Sequence, residues 1–116
     1  MHEMALVRNV IGITLDEAEK RGAEHVKAIY LRIGTGRDIV VDLFSGLFGH
    51  LAKNTPAEGA ELVYERVPLV TQCDDCGKFY RLDVHDESTY PCPRCGSMRY
   101  HLFSGMEFSV DRIEVA

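Results

Sequence analysis

Four cysteines, Cys73, Cys76, Cys92 and Cys95, are the only ones in the chain; they form two Cys-x-x-Cys pairs separated by fifteen residues, each pair followed directly by glycine. Two tight turns offering two thiolates each can close the shell of a tetrahedral ion such as Zn2+, with bonds of ~2.3 Å and little strain on the chain. Gly77 and Gly96 suit the positive φ that often follows such a turn. Two structural disulfides are the rival use of the same residues. The sequence shows no signal peptide and no further cysteine, which favours a reducing compartment and a metal. With sulfur at all four positions the site has no open coordination position for catalysis, so its expected duty is structural. A segment of about 30 residues buries too little core to fold alone, and the metal is expected to supply much of its folding free energy.

A second donor set stands at the start, Met1-His2-Glu3. The α-amino group, the His2 backbone nitrogen and the His2 imidazole can close adjacent chelate rings on one ion, and such donors favour square-planar Ni2+ or Cu2+. A fourth donor is available from the amide or carboxylate of Glu3. Met1 is expected to be retained, because His2 is too large a second residue for its removal. The competing reading of His2 is a frayed, solvated residue without a role. Position alone leaves both open. His25 and His50 read as structural or solvated, and His85 and His101, inside the cysteine segment, are not assigned as ligands.

The formal net charge of −5 falls to about −7 once four thiolates take up a divalent ion. That balance disfavours phosphate contacts, and between Cys73 and His101 the cations Lys78, Arg81, Arg94 and Arg99 face Asp74, Asp75, Asp83, Asp86 and Glu87 without a basic face. No apolar run is long enough to span a bilayer. A soluble cytoplasmic protein that binds neither nucleic acid nor membrane is expected. No nucleophile with a placed base and no phosphate loop is present, so an enzyme is not expected.

The positioning elements follow from periodicity. Met4, Val7, Val10/Ile11, Thr14/Leu15 and Ala18 recur at helical spacing, with Gly22 placed to end the helix and Glu3 in its first turn. HVKAIYLRIG predicts a strand with both faces partly covered. Val40, Leu43, Phe44, Leu47, Phe48 and Leu51 predict an amphipathic helix with Asp38 as its N-cap. ELVYERVPL predicts a second strand ending near Pro68, the cysteine segment carries FYRLDV and RYHLF as strands, and GMEFSVDRIEV returns as a third strand whose alternation slips near Asp111-Arg112. The expected fold is α+β: two helices packed on a small three-stranded sheet, with an inserted zinc-ribbon module. Residues 1–70 and 103–116 would form one domain and residues 71–102 the other.

The opening MHEMAL, the strand end LRIG, the stretch NTPAEGAELVYERVP, the knuckles CDDCG and CPRCG and the tail SGMEFSVDRIEV together resemble the HypA/HybF family of nickel metallochaperones for hydrogenase maturation. The resemblance implies Ni2+ as transient cargo on His2, with Met1 and Glu3 beside it, and a structural Zn2+ on Cys73, Cys76, Cys92 and Cys95. It implies delivery to the large-subunit precursor of [NiFe]-hydrogenase together with a GTPase of the HypB type, with urease served by some members. The chain departs from the family at GTGRDIVVD, where many members carry Ser and Pro. Monomer and homodimer both stay open. Two rival readings of the knuckles are a rubredoxin-like iron electron-transfer protein and a nucleic-acid-binding zinc ribbon.

Overall fold

The structure, a computed structural model, describes residues 3–116. In chain order the elements are α1 (Glu3–Lys20), β1 (Val26–Gly34), α2 (Val41–Leu51), β2 (Glu61–Val67), β3 (Val70–Cys73), β4 (Phe79–Arg81), a short 3-10 turn (Glu87–Thr89), β5 (Tyr100–Ser104) and β6 (Phe108–Val115). The strands form two three-stranded sheets, β2-β1-β6 and β4-β3-β5. The chain divides into two compact units, one holding the chain up to Leu31, Ile39–Glu65 and Ser109–Ala116, the other Arg32–Asp38 and Arg66–Phe108.

In the first unit, α1 buries Val7, Val10, Thr14 and Ala18, the stripe its spacing implies. It ends in a Schellman turn: Gly22 has φ of 64°, its N–H reaches Glu19 O at 3.0 Å, and the Ala23 N–H reaches Ala18 O at 2.9 Å. Helices α1 and α2 pack on each other. Phe44 and Phe48 are the buried residues of α2, and Phe44 meets Tyr64 edge-on with ring centres 6.3 Å apart. Val40 and Leu43 are exposed, so the apolar stripe of α2 is narrower than its periodicity suggests. Asp38 is not the cap. The N-cap is Val40, which offers no side-chain acceptor, and a Glu3 Oε2 stands 3.5 Å from the Val40 N–H.

In the second unit β3 is central and antiparallel to both neighbours, with Thr71 opposite Tyr80 and Leu102, and Gln72 opposite Phe79 and His101. Val70 faces Ser104 while Thr71 faces Leu102, so Phe103 is the extra residue of a β-bulge. The second strand ends beside Pro68 as its sequence implies, and Val70–Cys73 is a further strand that the alternation did not mark. Pro68 has no N–H for a ladder, so β2 stops at Val67 and the chain resumes as β3 in the other sheet. Of FYRLDV only Phe79–Arg81 is strand, because Asp83 turns the chain by accepting the His85 N–H at 2.9 Å. Met106 lies outside β6, separated from β5 by Gly105 at φ of 104°. Within β6, Asp111 and Arg112 are both exposed before buried Ile113, which is the slip of alternation the sequence implies.

Chain crossings in this unit are close. A Cβ on Gly105 would lie 2.2 Å from Leu69 Cα, and one on Gly34 would lie 2.0 Å from the Gly105 oxygen. Backbone bonds from Gly34 N–H to Glu107 O (2.7 Å), Thr35 N–H to Val67 O (2.8 Å) and Gly36 N–H to Gly105 O (2.8 Å) use that proximity. Both connections of the cysteine segment are thereby tied to the turn after β1.

Candidate metal centre

The two Cys-x-x-Cys turns are built alike. Cys73 N–H donates to Lys78 O at 2.9 Å and Gly77 N–H to Cys73 O at 3.0 Å; Cys92 N–H donates to Ser97 O at 2.9 Å and Gly96 N–H to Cys92 O at 2.8 Å. Gly77 and Gly96 hold φ of 78° and 74°, the left-handed conformation that lets each turn close after its second cysteine.

These turns bring the four Sγ atoms within 4.8 Å of one another. Across the turns, Cys73 and Cys95 are 3.6 Å apart and Cys76 and Cys92 3.5 Å apart. A disulfide needs ~2.05 Å, whereas a thiolate tetrahedron with ~2.3 Å bonds has edges of about 3.8 Å. The donor set therefore fits a tetrahedral thiophilic ion. Among the described residues no other group of three or more His, Cys, Asp or Glu is arranged this way.

Burial and hydrogen bonding grade the thiols. Cys73 and Cys92 are buried, Cys76 half-buried and Cys95 exposed. The Cys76 backbone N–H holds the Cys73 thiol below its ordinary range against the opposing effect of burial. For Cys92, burial acts to raise the pKa, but the amides of Cys95 and Arg94 prevail and the thiol is lowered to about 6; the Arg94 N–H lies 3.4 Å from its sulfur. Cys95 is raised to about 12: the Ser97 backbone N–H acts to lower it and is outweighed by hydrogen bonding to the Cys73 thiol, burial and the other two thiols. Hydrogen bonding within the cluster thus favours thiolate character at Cys73 and Cys92 and the protonated thiol at Cys95.

Tyr80 packs against Cys73 and Cys92 and donates its hydroxyl to Tyr90 O at 2.8 Å. Burial raises its pKa, which keeps it a neutral donor. Outside the sulfurs, polar bonds join the turns. Asp75 accepts from the Ser97 hydroxyl and faces Arg99 Nη1 at 3.4 Å. Asp74 faces His101 Nδ1 at 2.7 Å, and its N–H donates to Arg99 O at 2.8 Å. Sequence reasoning passed over this set. Its signal is a polar residue at every second position, Ser97, Arg99, His101, opposite the two acids of CDDC.

The remaining candidates divide. Met1 and His2, the proposed nickel donors, lie outside the described residues. Glu3 is described, is buried, and turns a carboxylate oxygen toward Val40. His25, His50, His85 and His101 are exposed. No described helix is long and apolar enough to cross a membrane.

The family described as "Hydrogenase/urease nickel incorporation, metallochaperone, hypA" matches residues 1–115. A hydrogenase maturation factor HypA of Geobacter metallireducens is 36% identical over 115 residues, 99% of each chain. That of Chloroflexus aurantiacus is 32% identical over 114 residues, 98% of each chain. Among solved structures, the solution structure of the Ni metallochaperone HypA from Helicobacter pylori superposes with a TM-score of 0.69 at 21% identity, covering 99% of this chain and 97% of that one. A second solution structure of a HypA protein gives 0.73 at 21% identity, covering 100% and 97%. At that identity the two structures bear on the fold.

Proposed function

Because the chain belongs to the HypA family of hydrogenase and urease nickel-incorporation metallochaperones, we propose that it carries Ni2+ on Met1-His2-Glu3 and delivers it for [NiFe]-hydrogenase maturation. The observation that carries this reading is the match from residue 1 to residue 115, which takes in His2 together with the four cysteines. The proposed nickel donors are the Met1 amine, the His2 amide and imidazole, and the Glu3 amide; the Glu3 carboxylate is already turned toward the start of α2. Helix geometry suits the Glu3 amide, since the first N–H groups of a helix have no intrahelical acceptor. A shallow chelate at the chain start suits hand-over better than a closed cage, and protons competing for amine and imidazole weaken it as pH falls.

Zn2+ is the ion assigned to Cys73, Cys76, Cys92 and Cys95. When bound it supplies cross-linking rather than chemistry, as a closed four-thiolate site does. Nickel binding is thus given to the first unit and structural zinc to the second. The partners are a GTPase of the HypB type and the hydrogenase large-subunit precursor, met in the cytoplasm, and the protein itself performs no catalysis.

The test is metal content and Ni2+ titration of untagged protein, with His2→Ala and a chain extended before Met1 beside it. Both changes are expected to abolish stoichiometric nickel binding and leave one zinc per chain. Nickel stoichiometry and hydrogenase maturation surviving in either would overturn the assignment.

A further inference from the structure

The two metal-binding turns are joined by more than the ion they would share. Asp74 and Asp75 are the two residues between Cys73 and Cys76, and both take partners from the segment that leaves the second turn. The Asp75 carboxylate accepts the Ser97 hydroxyl with one oxygen and faces Arg99 Nη1 at 3.4 Å with the other. The same Ser97 Oγ accepts the Arg99 N–H at 3.0 Å, so that Ser97 sits between the acid and the strand. The Asp74 N–H reaches Arg99 O at 2.8 Å and its side chain reaches His101 Nδ1 at 2.7 Å. Apart from the local Ser97–Arg99 bond, these contacts span at least 22 residues of sequence.

Their placement relative to the thiols matters. Cys95 is the one exposed residue of the four, whereas Cys73 and Cys92 are buried. A competing chelator or a proton therefore reaches the ion's shell at Cys95. The residue that fixes the chain just beyond Cys95 is Ser97, and Ser97 is held by Asp75. Outer residues that orient metal ligands commonly set how tightly an ion is kept.

On the reading of the four cysteines as a zinc site, we propose that Asp75, Ser97 and Arg99 form a clasp between the two turns that holds Cys95 in place and sets the rate at which the ion is lost. Asp75 is a positioning residue: its oxygens address the chain that carries the ligand. The Asp75–Arg99 pair is exposed, with side chains 41% and 76% accessible, and contributes little. The bond to the Ser97 hydroxyl, charge-assisted and anchored at the Arg99 amide, carries most of the effect. His101 and Asp74 brace the same strand one step further on.

The experiment uses full-length zinc-loaded protein mixed with an excess of a chromogenic zinc chelator at fixed pH, and follows zinc transfer in wild type, Asp75→Ala, Ser97→Ala, Arg99→Ala and the Asp75→Ala/Ser97→Ala pair. Asp75→Ala and Ser97→Ala are each expected to release zinc about tenfold faster, the pair no faster than either alone, and Arg99→Ala within about twofold of wild type. The Co2+-substituted variants keep the thiolate-to-metal charge-transfer bands of the wild type, which separates a faster exit from a lost ligand. Ser97→Ala removes one oxygen and keeps the test open if Asp75→Ala does not fold. Rates for both single variants within about twofold of wild type, or effects that multiply in the pair, would overturn the clasp. Wild type that holds no stoichiometric zinc would instead overturn the zinc reading on which the clasp rests.

Discussion

The carboxylate of Glu3 answers an amide that α2 leaves open at its own start. Val40 has no capping side chain, and Glu3 brings a negative charge to the helix N-terminus from 37 positions away. Glu3→Ala is expected to cost about 1 kcal/mol in urea unfolding, while Glu3→Gln, which keeps an acceptor, recovers much of it. Nickel stoichiometry in both variants should match wild type, because the proposed donor is the amide. Thr14 is the opposite case: its hydroxyl is fully buried and has no hydrogen-bond partner among the described residues. Thr14→Val is expected to raise the melting temperature, by an amount equivalent to about 1 kcal/mol. At the cysteines the sign follows from the thiols. Cys92, lowered to about 6, adds stability to the metal-free fold above the ordinary thiol range, and this is lost as pH falls through 6. Metal binding at pH 7 must still displace the Cys95 proton, and below 6 it must displace one from Cys92 as well. Calorimetry in buffers of different ionisation enthalpy should find more protons released per ion at pH 5.5 than at 7.5. The cysteines were legible because their spacing is itself the coordination chemistry. Glu3 as a cap, and Asp75 as a partner of Ser97, were not, because nothing local marks a contact across 37 or 22 positions.

At the scale of elements, the helices were legible from their stripes and the end of α1 from Gly22, since a Schellman turn needs only residues within a few positions. The strands around Pro68 were less so. VTQC is four residues long, too short for its alternation to separate it from the preceding run, and only its pairing in a second sheet makes it a strand of its own. The apparent strength of Val40 and Leu43 as core positions failed because a hydrophobic stripe says which residues share a face, not how much of that face is covered. Gly105 tests the crossing directly. Its φ of 104° and the 2.2 Å approach to Leu69 Cα make any side chain there clash with backbone. Gly105→Ala is expected to destabilise by about 3 kcal/mol or more, or to prevent folding, as read by denaturant unfolding. Gly46, whose Cβ would meet nothing within 4 Å, is the control.

For the whole molecule, the division into two units assigns the four cysteines to one and both helices to the other. Removing the metal should be felt unequally. After chelation, hydrogen exchange is expected to accelerate in residues 70–104 while amides of α1 and α2 keep most of their protection. Uniform loss of protection would mean that the thiolate cluster supports the helical unit as well. The family match covers residues 1–115 rather than a thirty-residue motif, and it favours a nickel-incorporation role over the rival readings of the knuckles.

The order of the first sheet, β2-β1-β6, has a consequence for synthesis. Every thiol and all three strands of the cysteine unit precede β6, which begins only at Phe108. The residues of the smaller sheet are therefore all synthesised before those of the last neighbour of β1. A chain cut before Phe108 would hold all four thiols and the whole smaller sheet while the helical unit still lacked its edge strand β6.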